Sequence, residues 1–342
     1  MRTEKTSAVV QGFRKRRRRY YIVSSILVLM VVLLAVIMMI YGNTVYMPCT
    51  VLRVIFGEDV QGATFTIRTL RLPRMMIGVL SGIAFGMSGN TFQKLLGNPL
   101  ASPDIIGITS GASAAAVFSI LILGLNGNIV SLLSVLAGIL TASLIYTLSL
   151  GGGFSNGRLI LIGIGIQSFL NAAISWMLLK ASEYDVASAL RWLSGSLNGV
   201  SMDNVPGLTL AVCVSGIALF LFNRHLDILQ LGEAYASTLG VRIKVVRLLL
   251  ILFALLLTAF GAAVTGPISS VAFLSGPIAS KLTGERKGNL FASGMTGAVL
   301  VLAGDLVGQY AFPARYPTGV ITGILGAPYL LFLLLRMNRK GE

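Results

Sequence analysis

Charge is what this sequence has least of: 11% of its 342 residues are Asp, Glu, Lys or Arg, against about 25% in an average soluble chain, and 55% are hydrophobic. So little polar surface cannot wrap a water-soluble globule of this length, and it excludes a disordered chain and a nucleic-acid-binding domain. Acid is the scarcer sign, with 12 Asp and Glu against 27 Lys and Arg. The single histidine, His225, excludes a histidine-based metal site and a Ser-His or Cys-His catalytic arrangement within the chain. Cys49 falls in a loop and Cys213 inside an apolar run, so no disulfide framework is expected. No Gly-x-x-x-x-Gly-Lys-Ser/Thr phosphate loop occurs, which excludes an ATPase of that type.

What the chain does have is apolar runs of membrane-crossing length, about 20 residues each. We read ten: 20–41, 74–93, 105–124, 129–150, 158–179, 205–223, 245–265, 267–280, 289–309 and 317–336. The predicted fold class is therefore an all-α integral membrane protein of about ten transmembrane helices. The eighth run is half length, and its region reads equally as a re-entrant segment followed by a short helix. A basic segment, 1–19, precedes one membrane domain, 20–338, whose longest inner connection is 224–247. The first run follows six consecutive cations, Arg14 to Arg19, and it is too long for the core of a cleaved signal. With that end inside, ten crossings leave Arg53, Arg68, Arg71, Arg74, Lys180, Arg191 and Arg315 outside and the other 20 of the 27 cations inside. The positive-inside bias is satisfied, and both termini, including the basic tail Arg336, Arg339 and Lys340, are expected in the cytoplasm.

The loops carry the candidate sites. Between two glycines, Gly232 and Gly240, the segment with Glu233, Ala236 and Leu239 reads as a short helix beside the membrane. Small residues around Ala236 suit close approach by another protein's backbone, and an ordinary interfacial helix fits the pattern as well. Outside, Arg68, Arg71 and Arg74 recur every three residues and form a positive patch suited to an acidic partner or an anionic substrate, or to headgroup snorkelling. Asp305 is the one clear carboxylate within the ten runs, thin support for ion coupling, since capping or pairing near the interface accounts for it as well. Gly78, Gly82, Gly86 and Gly89, Gly163 and Gly165, and Gly294 and Gly297 mark close helix packing, within the chain or with a second copy. On the fifth run, Gln167, Ser168, Asn171 and Ser175 are small polar groups at spacings of three and four that collect on one helical face, as pathway lining or as interhelical glue.

Eight motifs in order resemble the FecCD-type permeases, the transmembrane subunits of type II ABC importers for iron-siderophore complexes, haem and cobalamin. They are Arg71-Leu72-Pro73-Arg74; Gly86-Met87-Ser88-Gly89 with Gly97-Asn98-Pro99-Leu100-Ala101-Ser102-Pro103-Asp104; Gly107-Ile108-Thr109-Ser110-Gly111-Ala112; Gly157-Arg158-Leu159; Trp192-Leu193-Ser194-Gly195; Leu231-Gly232-Glu233 to Leu239-Gly240-Val241; Gly266-Pro267-Ile268; and Pro317-Thr318-Gly319 with Gly326-Ala327-Pro328.

The resemblance implies a permease in the cytoplasmic membrane, non-catalytic and binding no cofactor itself, with ATP and Mg held by the partner ATPase. It implies a second permease subunit, identical or paralogous, two ATPase subunits, an extracytoplasmic substrate-binding protein, and no nucleic acid. By similarity, Gly232 to Gly240 is the ATPase coupling helix. Arg71 and Arg74, with Arg68 and Arg315 as added outer charge, meet the binding protein. Asn98, Pro99, Leu100, Asn156 and Gly157 belong to the inner gate. Two departures stand out. Ile278 occupies the place of a histidine common in relatives, which resembles the subset serving ferric catecholate siderophores. Arg315-Tyr316-Pro317 replaces an acidic residue before Leu-Pro. Haem or cobalamin transport is the alternative within the family, and a gradient-driven secondary transporter the alternative outside it; the latter calls for inverted repeats and paired intramembrane charges.

Overall fold

The computed structural model describes residues 2–338 apart from 152–154, 269 and 285–287, so Arg339 and Lys340 lie outside it. Among the described residues every regular element is helical. The thirteen α-helices are α1 (Arg2–Ile40), α2 (Pro48–Ile55), α3 (Leu72–Leu96), α4 (Ile108–Leu121), α5 (Asn128–Ser149), α6 (Asn156–Lys180), α7 (Glu183–Leu193), α8 (Asn204–Leu229), α9 (Glu233–Thr238), α10 (Ile243–Thr265), α11 (Val271–Thr283), α12 (Leu290–Tyr310) and α13 (Thr318–Asn338).

Each of the ten apolar runs corresponds to one of these helices. Seven are long and apolar enough to cross a membrane, those of α1, α3, α5, α6, α8, α10 and α12; α4 and the apolar part of α13 are shorter. The eighth run resolves into an irregular stretch from Gly266 and then α11, which has only 13 residues. Its first turn lies against the middle of α3: a Cβ on Gly89 would stand 1.8 Å from the Ala272 carbonyl oxygen. The basic segment ahead of the first run continues α1 without a break, and the bundle also carries two helices between crossings that the apolar pattern did not mark, α2 and α7.

The glycine ladder acts within the chain. A Cβ on Gly82 would lie 2.5 Å from the Cα of Ala298, and one on Gly86 would lie 2.2 Å from the Ser293 oxygen, so α3 and α12 touch backbone to backbone. Among the described residues nothing lies within 4 Å of a Cβ placed on Gly165 of α6. Around α3 the core closes through Ile77, Phe85, Leu208, Leu219, Leu250 and Val301.

Polar contacts join helix ends that alternating crossings place on one side. Tyr41 meets Tyr310 edge to face at 5.1 Å, and the Arg315 guanidinium donates to Asn43. At the opposite side, Lys94 of α3 pairs with Asp227 of α8 at 3.0 Å, and Arg19 of α1 caps the last turn of α11. α13 starts at the Asp305 side and runs away from it. Both ends of the chain therefore emerge on the Lys94 side of the bundle.

Before α3 the chain winds as a π-helix, Phe65–Arg71. Pro73 sits in the first turn of α3 without an N–H to donate, so the regular i to i−4 ladder cannot run through this point, and the wider turn accommodates the interruption.

Candidate functional site

The polar face of α6 opens on a cavity of 420 Å³, with Gln167, Asn171 and Ser175 in its wall. Ser168 is turned away from it; its hydroxyl donates to the Ile164 carbonyl at 2.8 Å, and the residue is exposed on another side of the helix. Three of the four residues read from the sequence as pathway lining therefore converge, and the fourth does not.

The facing wall comes from residues to which the sequence reading assigned no role. Asp104 enters from the 3-10 turn Pro103–Ile106, and Thr109, Ser110 and Ser113 from the first turns of α4. The signal was a set of small polar residues at helical spacing in an otherwise apolar run. Ser110 and Ser113 are 6% and 5% exposed, and among the described residues neither hydroxyl has a hydrogen-bond partner, so what they meet is the cavity. Pro267, Ile268, Ser270 and Ala272 close a third side at the start of α11.

Two half-length helices, α4 and α11, thus begin at this cavity. The first N–H groups of a helix lack partners inside it and carry partial positive charge. Hydroxyls, amides, two helix starts and one carboxylate make a lining that exchanges hydrogen bonds in both directions. Phe85, Ile174 and Leu193 supply its apolar part. Such a wall can exchange hydrogen bonds with a polar solute and presents no cluster of charges.

At the Lys94 side, α9 stands between Gly232 (φ 104°) and Gly240 (φ 78°), left-handed backbone that favours glycine and lets the chain turn sharply in and out of six residues. Ala236 is wholly buried, which corrects the expectation that it faces a partner. With a small side chain on its inner face, the helix lies close against the bundle. Its exposed side carries Tyr235 and Leu239, 69% and 62% exposed. Glu233 accepts a hydrogen bond from Arg247 of α10, a tie that fixes the short helix to a crossing one.

The sequence motif assigned to the inner gate lies in two segments. Asn98 makes a tight turn after α3, its side-chain oxygen accepting from the Leu100 N–H at 2.9 Å, with Pro99 exposed beside it. Asn156 and Gly157 form the first turn of α6. Among the described residues no hydrogen bond joins the two segments.

On the opposite side the three arginines expected to share a face diverge to separate partners. Arg68 donates to the Val54 carbonyl at 3.0 Å. Arg71 donates to the carbonyls of Met39, Ile40 and Thr44 and lies over the Tyr46 ring, binding the end of α1 to the start of α3. Arg74 grips Asp305 with two parallel bonds of 2.7 and 2.8 Å, and its third nitrogen donates to Asn198 at 2.7 Å. Asp305 is 2% exposed and also accepts from Gln309 and Thr318. The one carboxylate inside the apolar runs is therefore a fully engaged structural partner. Arg315 is exposed and reaches Asn43 at 2.9 Å. Glu58, beside the guanidinium of Arg53, is held below the usual carboxylate range by that hydrogen bond.

Comparison with known proteins places this geometry. The FecCD transport family model matches residues 27–336. The chain is 36% identical over 291 residues to the ferric enterobactin transport system permease protein FepG of Escherichia coli, covering 85% of this chain and 88% of that one. It is 35% identical over 301 residues to the achromobactin transport system permease protein CbrC of Dickeya dadantii, covering 87% and 86%. In structure it matches a chain from an inward-facing conformation of a metal-chelate type ABC transporter with a TM-score of 0.80 at 26% identity, over 92% of this chain and 99% of that one. Sequence, fold and helix order agree, and the chain belongs to the FecCD transport family.

Proposed function

We propose that this chain is the membrane permease of an ABC importer for ferric siderophores. The observation that carries the reading is the cavity at the polar face of α6, where half-helices α4 and α11 begin, in a chain without a phosphate loop of its own. The cargo passes this wall without covalent change, and the energy comes from ATP and Mg bound by a partner ATPase. A relative named for ferric enterobactin transport, together with Ile278 in place of a histidine, favours a ferric catecholate cargo.

In this reading, a second permease, identical or paralogous, completes the path. The open face of α6 supports that placement, since Leu161, Phe169, Trp176 and Leu179 are exposed on it among the described residues. Two ATPases sit below, gripping α9 from Gly232 to Gly240 through Tyr235 and Leu239. The Lys94 side is then cytoplasmic, with both termini on it. Asn98, Pro99, Leu100, Asn156 and Gly157 form the inner gate. An extracytoplasmic binding protein docks on the other side. Arg315 and Arg68 carry that contact, with Arg71 and Arg74 shaping the surface beneath it through their internal bonds.

The test is uptake of labelled iron offered as catecholate, hydroxamate and carboxylate siderophores, beside labelled cobalamin, in cells with and without the gene. Gene-dependent uptake of a siderophore that stops on ATP depletion and survives an ionophore is the expected result. Uptake that collapses with the ionophore while ATP is held constant would overturn the importer reading.

A further inference from the structure

The six cations Arg14 to Arg19 run around the whole circumference of α1, and the structure separates them by face. Arg19 points toward the bundle, its Nε donating to the Leu282 carbonyl at 2.9 Å and its Nη2 to the Lys281 carbonyl at 3.1 Å. There it neutralises the negative end of α11. Arg17 folds back along its own helix, donating to the Tyr21 hydroxyl at 3.4 Å with its guanidinium over that ring. Arg14, Lys15 and Arg18 are exposed, as is Arg16 on another side of the helix, and among the described residues none of them is paired with an acid.

These three share a register. Counting by three and four from Arg14, Lys15 and Arg18 reaches Ile22, Ile26, Leu29, Leu33 and Val36, a stripe along the middle of the broader exposed apolar face of α1. Only 28% of this helix's most apolar stretch is buried in the bundle, so that stripe is the surface presented to acyl chains. Arg18 then lies about one turn, roughly 5–6 Å, beyond the first apolar residue of the stripe, and Arg14 about one turn further. This is the depth of lipid phosphates, which lie just outside the hydrocarbon core.

We propose that Arg14, Lys15 and Arg18 form a headgroup site for anionic phospholipid, with Arg19 fixing the rotation of α1 that turns them toward lipid. Charge complementarity commits the face to this occupant: three unpaired cations continue an acyl-facing stripe, and the phosphodiester of an anionic lipid, unlike that of a zwitterionic one, brings net negative charge to them. In the orientation proposed above, this is the cytoplasmic leaflet; the site itself does not depend on that reading or on the cargo.

The test uses the full chain, purified in detergent, with phosphatidylglycerol or phosphatidylcholine of the same acyl chains added and bound lipid counted by native mass spectrometry. Wild type should retain phosphatidylglycerol with about tenfold preference, falling toward equality as salt shortens the screening length. Replacing all three by glutamine, as Arg14→Gln, Lys15→Gln and Arg18→Gln together, should remove the preference. Arg14→Lys with Arg18→Lys should keep it, and Arg16→Gln alone should leave it unchanged. Should the glutamine variant not insert, the salt series on wild type and the lysine variant still decide. No preference in wild type, salt-independent preference, or wild-type preference in the glutamine variant overturns the proposal.

Discussion

At the residue scale, the centre of polar order is Asp305, which receives Arg74, Gln309 and Thr318 in a site 2% exposed. A carboxylate this buried is costly to strand, and removing one partner of such a pair costs about 3–5 kcal/mol. Arg74→Gln is therefore expected to lower the melting temperature of the purified chain more than Arg74→Gln with Asp305→Asn does, because the double change leaves no unpaired buried charge. Equal melting temperatures for the two variants would remove the ion pair as a structural element. The sequence marked both residues and left open a pairing role for Asp305 without naming its partner: positions 74 and 305 are far apart in the chain, and only the packing of α3 on α12 makes them neighbours. The divergence of Arg68, Arg71 and Arg74 has a similar origin, since each guanidinium follows the nearest unpaired carbonyl or carboxylate, and those are supplied by other segments.

Helix elements show the same division. The ladder from Gly78 to Gly89 was legible as close packing, because only small residues at every fourth position allow backbones to touch. Its partner was not legible, since α12 carries a complementary set of small residues whether or not the two helices meet. Gly86→Val is expected to reduce the yield of folded chain several-fold by driving a side chain into the Ser293 carbonyl, whereas Gly165→Ala, in open space, should fold at the wild-type level. Recovery of both at equal yield, measured by size-exclusion chromatography, would contradict that packing. For α9 the prediction concerns the Glu233–Arg247 tie. Glu233→Arg sets two cations together and is expected to abolish transport and ATPase co-purification, and adding Arg247→Glu should restore part of both. Tyr235→Ala with Leu239→Ala should weaken co-purification with α9 still in place, because those two side chains form its outward face.

At the scale of the whole molecule, an apolar bundle holds a polar-lined cavity, the path proposed above. The cavity wall brings α6 residues together with Asp104, Ser110 and Ser113, and Ser110→Val with Ser113→Val is expected to slow uptake about tenfold while leaving insertion and ATPase co-purification unchanged. Unaltered uptake would take those hydroxyls out of the path. On the opposite side, Arg68→Glu with Arg315→Glu should weaken binding-protein affinity, and the difference should shrink at high salt because exposed charges are screened. Salt-independent, wild-type affinity would remove that contact.

The sequence by itself determined the membrane class, the ten apolar runs and the family, because hydropathy and local motifs are properties of neighbouring residues. It also marked Gln167, Asn171 and Ser175, whose spacing along one helix fixes a common face. Only the tertiary structure decided that Ser168 turns away, that Ala236 faces inward and that Asp305 is held by Arg74. It likewise decided that α4 and α11 begin at one cavity. Each of these depends on which helix lies across from which, and that choice is made by interlocking side chains over the whole bundle, where no single segment contains the answer.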